Sequence, residues 1–306
     1  MRPLFDRRLV VVAGKGGVGR TTVTAALGLA AAQCGLVALV VEVDGQSDIP
    51  YALAADRAGT LDEVELSPRL YHVTIDRRAV LSEYLHDEVP GPVSAAILAR
   101  SRLFQLFVDA APGLNELLTI GKVWELIQRP RHRRRARQYD LVILDAPASG
   151  QLIALLQAPK TFASIARTGP VARQAEAIQA SLRDPGLAAF VSVVTPEQMP
   201  VSETVSLDGA LSLLAGRRLD AIIVNRLFPQ RFTTEEGEAL ARFGPDPALR
   251  SARWFAARAR AQRGQLTRLE TELCHVPLFA ALPFRFTERI RRDDLQSLAS
   301  LLAPRS

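Results

Sequence analysis

Residues Gly14-Lys15-Gly16-Gly17-Val18-Gly19-Arg20-Thr21-Thr22 bring four glycines, two cations and two hydroxyls together within nine positions. A loop of the form G-x-x-x-x-G-K-[ST] wraps backbone N–H groups around phosphates, aims a helix N-terminus at them and offers a hydroxyl to Mg²⁺. Gly14, Gly19 and Thr21 hold the required places, while Arg20 stands where a lysine would reach the β- and γ-phosphates. The whole stretch from Gly14 to Thr22 is therefore a candidate nucleotide-binding loop, with Thr21 a candidate metal ligand.

Such a loop works only between a strand and a helix. Leu9-Val10-Val11-Val12-Ala13 is a continuous apolar run of the kind a buried parallel strand shows, and Thr22 to Gln33 reads as an alanine-rich helix closed by Gly35. Leu36 to Val43 predicts a second buried strand that delivers Asp44 at its C-terminal end, where open α/β sheets place ligand-binding residues. Leu141 to Leu144 predicts a third, ending in Asp145-Ala146-Pro147-Ala148-Ser149-Gly150. An acid at that position in a phosphate-loop protein holds Mg²⁺, and the glycine beyond it can approach a γ-phosphate and report its presence. The plainer alternatives are that Asp145 caps the following helix and that Asp44 caps a loop.

Tyr71 to Ile75 reads as a short strand, and residues 80 to 128 show helical periodicity, interrupted at Pro112-Gly113. Ala188 to Val194, Ala221 to Val224 and Val276 to Leu282 read as further strands, with Pro200 to Ala215 and Thr233 to Arg263 as helical connections. Strands alternating with helices predict an α/β fold with a doubly wound, mainly parallel sheet. No repeat or low-complexity linker marks a second domain, so residues 1–306 are expected to form a single domain with a helical insertion at about 80–128.

The chain has 306 residues, 48% of them hydrophobic, which is ample for a buried core. Its formal charge of +6 favours an anionic partner without choosing among nucleotide, lipid headgroup, nucleic acid or acidic protein. The basic run Arg129 to Arg137 reads as a solvated connection, and no aromatic residue is interleaved with its arginines, which argues against a single-stranded nucleic-acid surface. Cys34 and Cys274 are too far apart in sequence for a C-x-x-C site. A reducing cytoplasm fits that usage. Met1 to Arg8 lacks the apolar core of a signal peptide, and Gln33 and Gly35 split the apolar stretch Val23 to Val41 into helix and strand, so any membrane role is expected to be peripheral. His72, His86, His132 and His275 show no metal-ligand spacing.

With these elements in place, Gly14 to Gly19 resembles the deviant phosphate loop of the ArsA-like anion-transporting ATPases, a loop shared with partitioning and cell-division ATPases. More of the chain is similar to the ArsA-like family: Glu42-Val43-Asp44 stands at its first switch, Pro112-Gly113-Leu114-Asn115-Glu116-Leu117 at its helical-insert motif, and Asp145 to Gly150 at its second switch, with Gln151 where a histidine often follows. Val194-Thr195-Pro196-Glu197 with Glu203-Thr204, Ile223-Val224-Asn225-Arg226, and more faintly Leu282-Pro283-Phe284, continue the likeness.

The resemblance implies an ATPase using ATP and Mg²⁺. Thr21 would ligate the metal, Asp145 would hold it through water, and Asp44 would join them at the metal and orient the attacking water. Asn225 and Pro283 would lie at adenine, although Asn225 could instead satisfy backbone groups at its strand end. Lys15 would reach the phosphates of the opposite subunit in a closed dimer, either a homodimer or a heterodimer with a paralogue. The client is an unknown protein or a peripheral membrane partner. Arsenite needs a cluster of soft thiolates that two distant cysteines do not supply, and the two methionines, Met1 and Met199, do not furnish a methionine-rich groove. Arg20 binds phosphate, but its planar fork cannot copy a compact ammonium, so slow turnover is expected.

Overall fold

A computed structural model describes residues 1–43, 48–53, 62–88, 113–129, 136–166, 168–242 and 246–304. Eight strands form one sheet in the order β3-β4-β2-β5-β1-β6-β7-β8. They are β1 (Leu9–Ala13), β2 (Ala38–Val43), β3 (Val64–Ser67), β4 (Leu70–Ile75), β5 (Leu141–Asp145), β6 (Ala188–Val194), β7 (Ala221–Leu227) and β8 (Leu278–Pro283). All neighbours pair in parallel except β3, which runs antiparallel to β4 at one edge. The expected doubly wound α/β sheet is therefore present.

The helices are α1 (Arg2–Phe5), α2 (Arg20–Gln33), α3 (Asp48–Ala52), α4 (Arg77–Glu88), α5 (Leu114–Ile127), α6 (Ser149–Ala166), α7 (Pro170–Arg183), α8 (Gln198–Ala215), α9 (Thr234–Arg242), α10 (Arg250–Glu272) and α11 (Arg292–Leu302). They cover both faces because side chains alternate along a strand. Leu9 and Val11 of β1 point into a core shared with α5, α6, α7, α8 and α10, whereas Val10 and Val12 point into one shared with α2 and α11. Burial on both faces explains why the central strands read as unbroken apolar runs rather than alternating ones.

β1 lies between β5 and β6; β2, β4 and β3 lie on one side of it with β5 inserted next to β1, and after β5 the chain crosses to build β6, β7 and β8 on the other. That is a topological switch point, and open α/β sheets bind ligands beyond the carboxyl ends of the strands there. The loop at residues 14–19 leaves β1 at this crevice.

Several elements differ from the sequence expectation. β3 has only four residues, half of them polar, so it is specified by pairing with β4 rather than by its own pattern. The stretch from Thr233 to Arg263 is two helices, because Pro247 carries no N–H and a short 3₁₀ turn, Pro247–Leu249, intervenes with Asp246 capping Ala248. α7 and α11 lie outside the expected helices, although Leu295, Leu298, Ala299 and Leu302 recur at helical spacing and seat α11 against α2. Each of those leucines contributes roughly 1.5–3 kcal/mol by leaving water. Within the stretch 80–128, Leu118, Ile120, Val123 and Leu126 of α5 are buried in the main core, the helix lying against β5. Residues 89–112, including Pro112, lie outside the described residues, as do 130–135 of the basic run.

Candidate functional site

The loop is shaped by its glycines at two points. Gly14 takes φ 151°, and a Cβ there would collide with the Val193 carbonyl oxygen of β6. Gly19 takes φ 88° at the N-cap of α2, and a Cβ there would collide with the Asn225 amide. Asn225 holds the loop from β7: its Nδ2 donates to the Val18 carbonyl at 2.9 Å, and its Oδ1 accepts from the Arg226 N–H at 2.9 Å. Among the described residues, no atom beyond the chain neighbours lies within 4 Å of where a Cβ would stand on Gly16 or Gly17. α2 has no acidic residue in its first turn, and its leading N–H groups lack intrahelical acceptors. The arrangement suits phosphate oxygens.

Asp145 ends β5 directly beside Val12 of β1 and Glu42 of β2. Thr21 Oγ1 donates to its Oδ2 at 2.7 Å, Thr24 Oγ1 to its Oδ1 at 3.4 Å, and Arg20 Nε lies 3.8 Å from Oδ1. Burial pushes the carboxyl up to about 6, and the neighbouring Glu42 adds to the rise. The Thr21 hydrogen bond, the Arg20 charge and the Thr24 hydrogen bond oppose that rise. Glu42 in turn accepts from or donates to His72 Nε2 at 2.6 Å, and both side chains are buried. This buried pair one strand away from Asp145 escaped the sequence reading of His72. Its traces in the sequence are an acid within the apolar run of β2 and a histidine within that of β4.

Lys15 Nζ sits 3.0 Å from Glu203 Oε2 on α8, each side chain about one-third exposed. Arg20 Nη1 donates to the Gly14 carbonyl at 2.9 Å. Gly150 lies in the first turn of α6, and Ser149 Oγ beside it is buried with no hydrogen-bond partner among the described residues. Pro283 ends β8 opposite Leu227, next to a ring cluster in which Phe228 and Phe284 stack at 4.7 Å. Asp44 lies outside the described residues. The basic run is anchored at its ends, with Arg129 on Asp140 at 2.7 Å and Arg137 over the Tyr71 ring at 4.2 Å. No helix among the described residues is long and apolar enough to cross a membrane.

The donor set fits Mg²⁺. Thr21 and Asp145 offer hard oxygens in mutual contact at the foot of an open loop, and Mg²⁺ is held by one or two protein oxygens with water and substrate phosphates completing its shell.

The comparisons with known proteins agree with this geometry. The sequence model of the anion-transporting ATPase family matches residues 7–169 and 163–242. ATPase BagA of Mycobacterium tuberculosis is 30% identical over 244 residues, covering 75% of this chain and 68% of that protein. ATPase GET3 of Podospora anserina is 22% identical over 261 residues, covering 73% of this chain and 74% of that protein. ATPase ARSA1 of Chlamydomonas reinhardtii is 26% identical over 181 residues, covering 50% of this chain and 22% of that protein. A phosphate loop at the switch point of a parallel sheet, inside a span that this family matches for most of its length, identifies the chain as a P-loop ATPase belonging to the anion-transporting ATPase family.

Proposed function

We propose that the chain is a nucleotide-driven dimer switch built on one ATPase domain with a helical insertion near residues 80–128. ATP sits on Gly14 to Thr22 with adenine toward Asn225 and Pro283. Thr21 and Asp145 hold Mg²⁺, and Asp44 orients the attacking water. Lys15 crosses to the partner subunit's nucleotide, and Gly150 reports the γ-phosphate. Mg²⁺, when held there, would supply charge neutralisation to the transferring phosphoryl group. Closing the dimer would then create or cover a surface for a protein client or a peripheral membrane partner in the cytoplasm.

The observation that carries this reading is the convergence on one loop of Thr21 with Asp145 and of Asn225 with Val18, contacts between elements far apart in sequence. ATP turnover and the mass of the purified protein, alone and with cellular partners retained, test it. The expected result is slow turnover with a mass doubling in ATP; an unchanged mass in every nucleotide state, alone and with partners, would sink the dimer switch.

A second reading is favoured by Arg20, whose guanidinium is turned onto Gly14 and Asp145. In that reading the chain is a nucleotide-binding, weakly catalytic subunit paired with an active paralogue. Arg20→Lys separates the two: the switch reading expects faster turnover in the variant alone, and the regulatory reading expects turnover only with the paralogue present.

A further inference from the structure

Arg231, Arg260 and Arg263 line one cavity of about 60 Å³, formed where the segment after β7 meets the start of α9 and a face of α10. None of its lining residues belongs to the loop Gly14 to Thr22, and no carboxylate lines it among the described residues. Arg242, Arg258 and Arg268 on the same two helices each meet a glutamate, whereas these three make no ion pair among the described residues. Glu236 accepts from the Thr233 N–H at 2.8 Å and Glu238 pairs with Arg242, so neither acid neutralises them.

The guanidinium groups are set in place by their surroundings. Arg231 lies 4.8 Å over the Phe255 ring and 5.3 Å over that of Phe286, a stacking that occupies its flat face and leaves its N–H edge to donate. Arg260 lies across the start of α9, where Nη2 donates to the Thr234 carbonyl at 3.4 Å and stands 3.1 Å from where a Cβ on Gly237 would be. Glycine inside a helix is unfavourable, and Gly237 gives that guanidinium its room. Thr233, also on the lining, accepts from the Glu236 N–H at 3.2 Å through Oγ1 and keeps its own proton to donate.

Three permanent charges around one space repel each other, and a multivalent oxyanion relieves that repulsion while accepting from several planar forks at once. A single water needs roughly 10–15 Å³, so the cavity admits a cluster the size of one phosphate and excludes a whole nucleotide. We propose that it is a second anion site, separate from the nucleotide loop, which takes a single phosphate group, either free phosphate or the head of an anionic lipid.

Isothermal titration of the purified protein with inorganic phosphate, and cosedimentation with phosphatidylcholine vesicles containing phosphatidic acid, separate the two sources. Both are repeated with the double variant Arg260→Gln/Arg263→Gln. Binding is expected in at least one arm and is expected to fall at least about tenfold in the variant, with ATP affinity within about twofold of wild type. Arginine-dependent uptake of free phosphate assigns the site to a soluble ligand; arginine-dependent vesicle binding without it assigns the site to a headgroup.

Binding in neither arm overturns the proposal, as does binding that persists undiminished in the variant, which the nucleotide loop alone would explain. Loss of ATP affinity in step with phosphate, in a variant that melts as wild type does, overturns the separateness of the site. Should the double variant fail to fold, Gly237→Ala decides. Alanine favours a helix over glycine, so the melting temperature is expected to hold or rise while the displaced Arg260 weakens anion binding several-fold; undiminished binding overturns the assignment.

Discussion

Thr21 Oγ1 donates to Asp145 Oδ2 at 2.7 Å although 124 residues separate them. The hydroxyl at the start of α2 and the acid at the end of β5 thus already face each other, because β1 and β5 are parallel neighbours and both end at the same crevice. Sheet register brings these two parts of the site together.

Asp145 gives this arrangement a pH signature. Its folded value of about 6 exceeds the unfolded reference of 3.8 because burial disfavours the charged form. The folded state therefore holds the proton more tightly. Asp145 adds no penalty below about pH 4, and stability falls as pH rises through the window from about 4 to 6, by about 3 kcal/mol in total. Asp145→Asn abolishes that contribution. Urea unfolding of both proteins at about pH 4 and pH 7 is expected to show the wild type losing roughly 2–3 kcal/mol relative to the variant. Parallel pH profiles would refute the argument.

Glu42 and His72 pair at 2.6 Å in the buried sheet, so removing one partner strands the other. His72→Ala is expected to destabilise the protein by about 3–5 kcal/mol. Replacing both residues with leucine is expected to cost less than the single change, since no polar group is then left unpaired. Denaturant midpoints of the three proteins check this; a double variant less stable than His72→Ala would contradict it.

Gly19→Ala places a methyl on the Asn225 amide at a residue with φ 88°. The backbone strain alone costs about 1–2 kcal/mol. Displacing Asn225 also frees the Val18 carbonyl that holds the loop in shape. Calorimetric ATP affinity is expected to fall at least about tenfold, as misplaced donors do not converge on the phosphates. Undiminished affinity would show that the loop tolerates loss of this brace.

Lys15 and Glu203 are each about one-third exposed, so their pair adds less than about 1 kcal/mol to stability. Glu203→Gln is expected to leave the melting temperature nearly unchanged while freeing Lys15 for a partner subunit. Sedimentation in ATP is then expected to show the dimer forming at lower protein concentration than in wild type. A dimer weakened by the substitution would instead give Glu203 a role in the closed interface.

Several elements of the fold were legible because their signals are local. The run from Leu9 to Ala13, the glycines and hydroxyls of the loop, and the strand from Leu141 to Asp145 stand where expected. β3 was not legible, since four half-polar residues become a strand only by pairing with β4. The break at Pro247 could have been read from the missing N–H, and the helix from Arg292 to Leu302 from its leucine spacing. Glu42 belongs to the Glu42-Val43-Asp44 segment, whereas its partner belongs to no motif. His72 lies 30 residues away, and only the pairing of β2 with β4 brings the two together.

The sequence by itself determined the kind of ligand and the order of the elements around it, because glycine torsions, helix starts and apolar runs act over a few residues. Which polar groups meet was decided by tertiary structure. Thr21 facing Asp145, Asn225 gripping Val18, Lys15 reaching Glu203 and Arg20 turning onto Gly14 and Asp145 all depend on strand register and on side-chain direction. Most of these contacts join residues far apart in the chain, and even Arg20 required the folded loop to show which way its cation points.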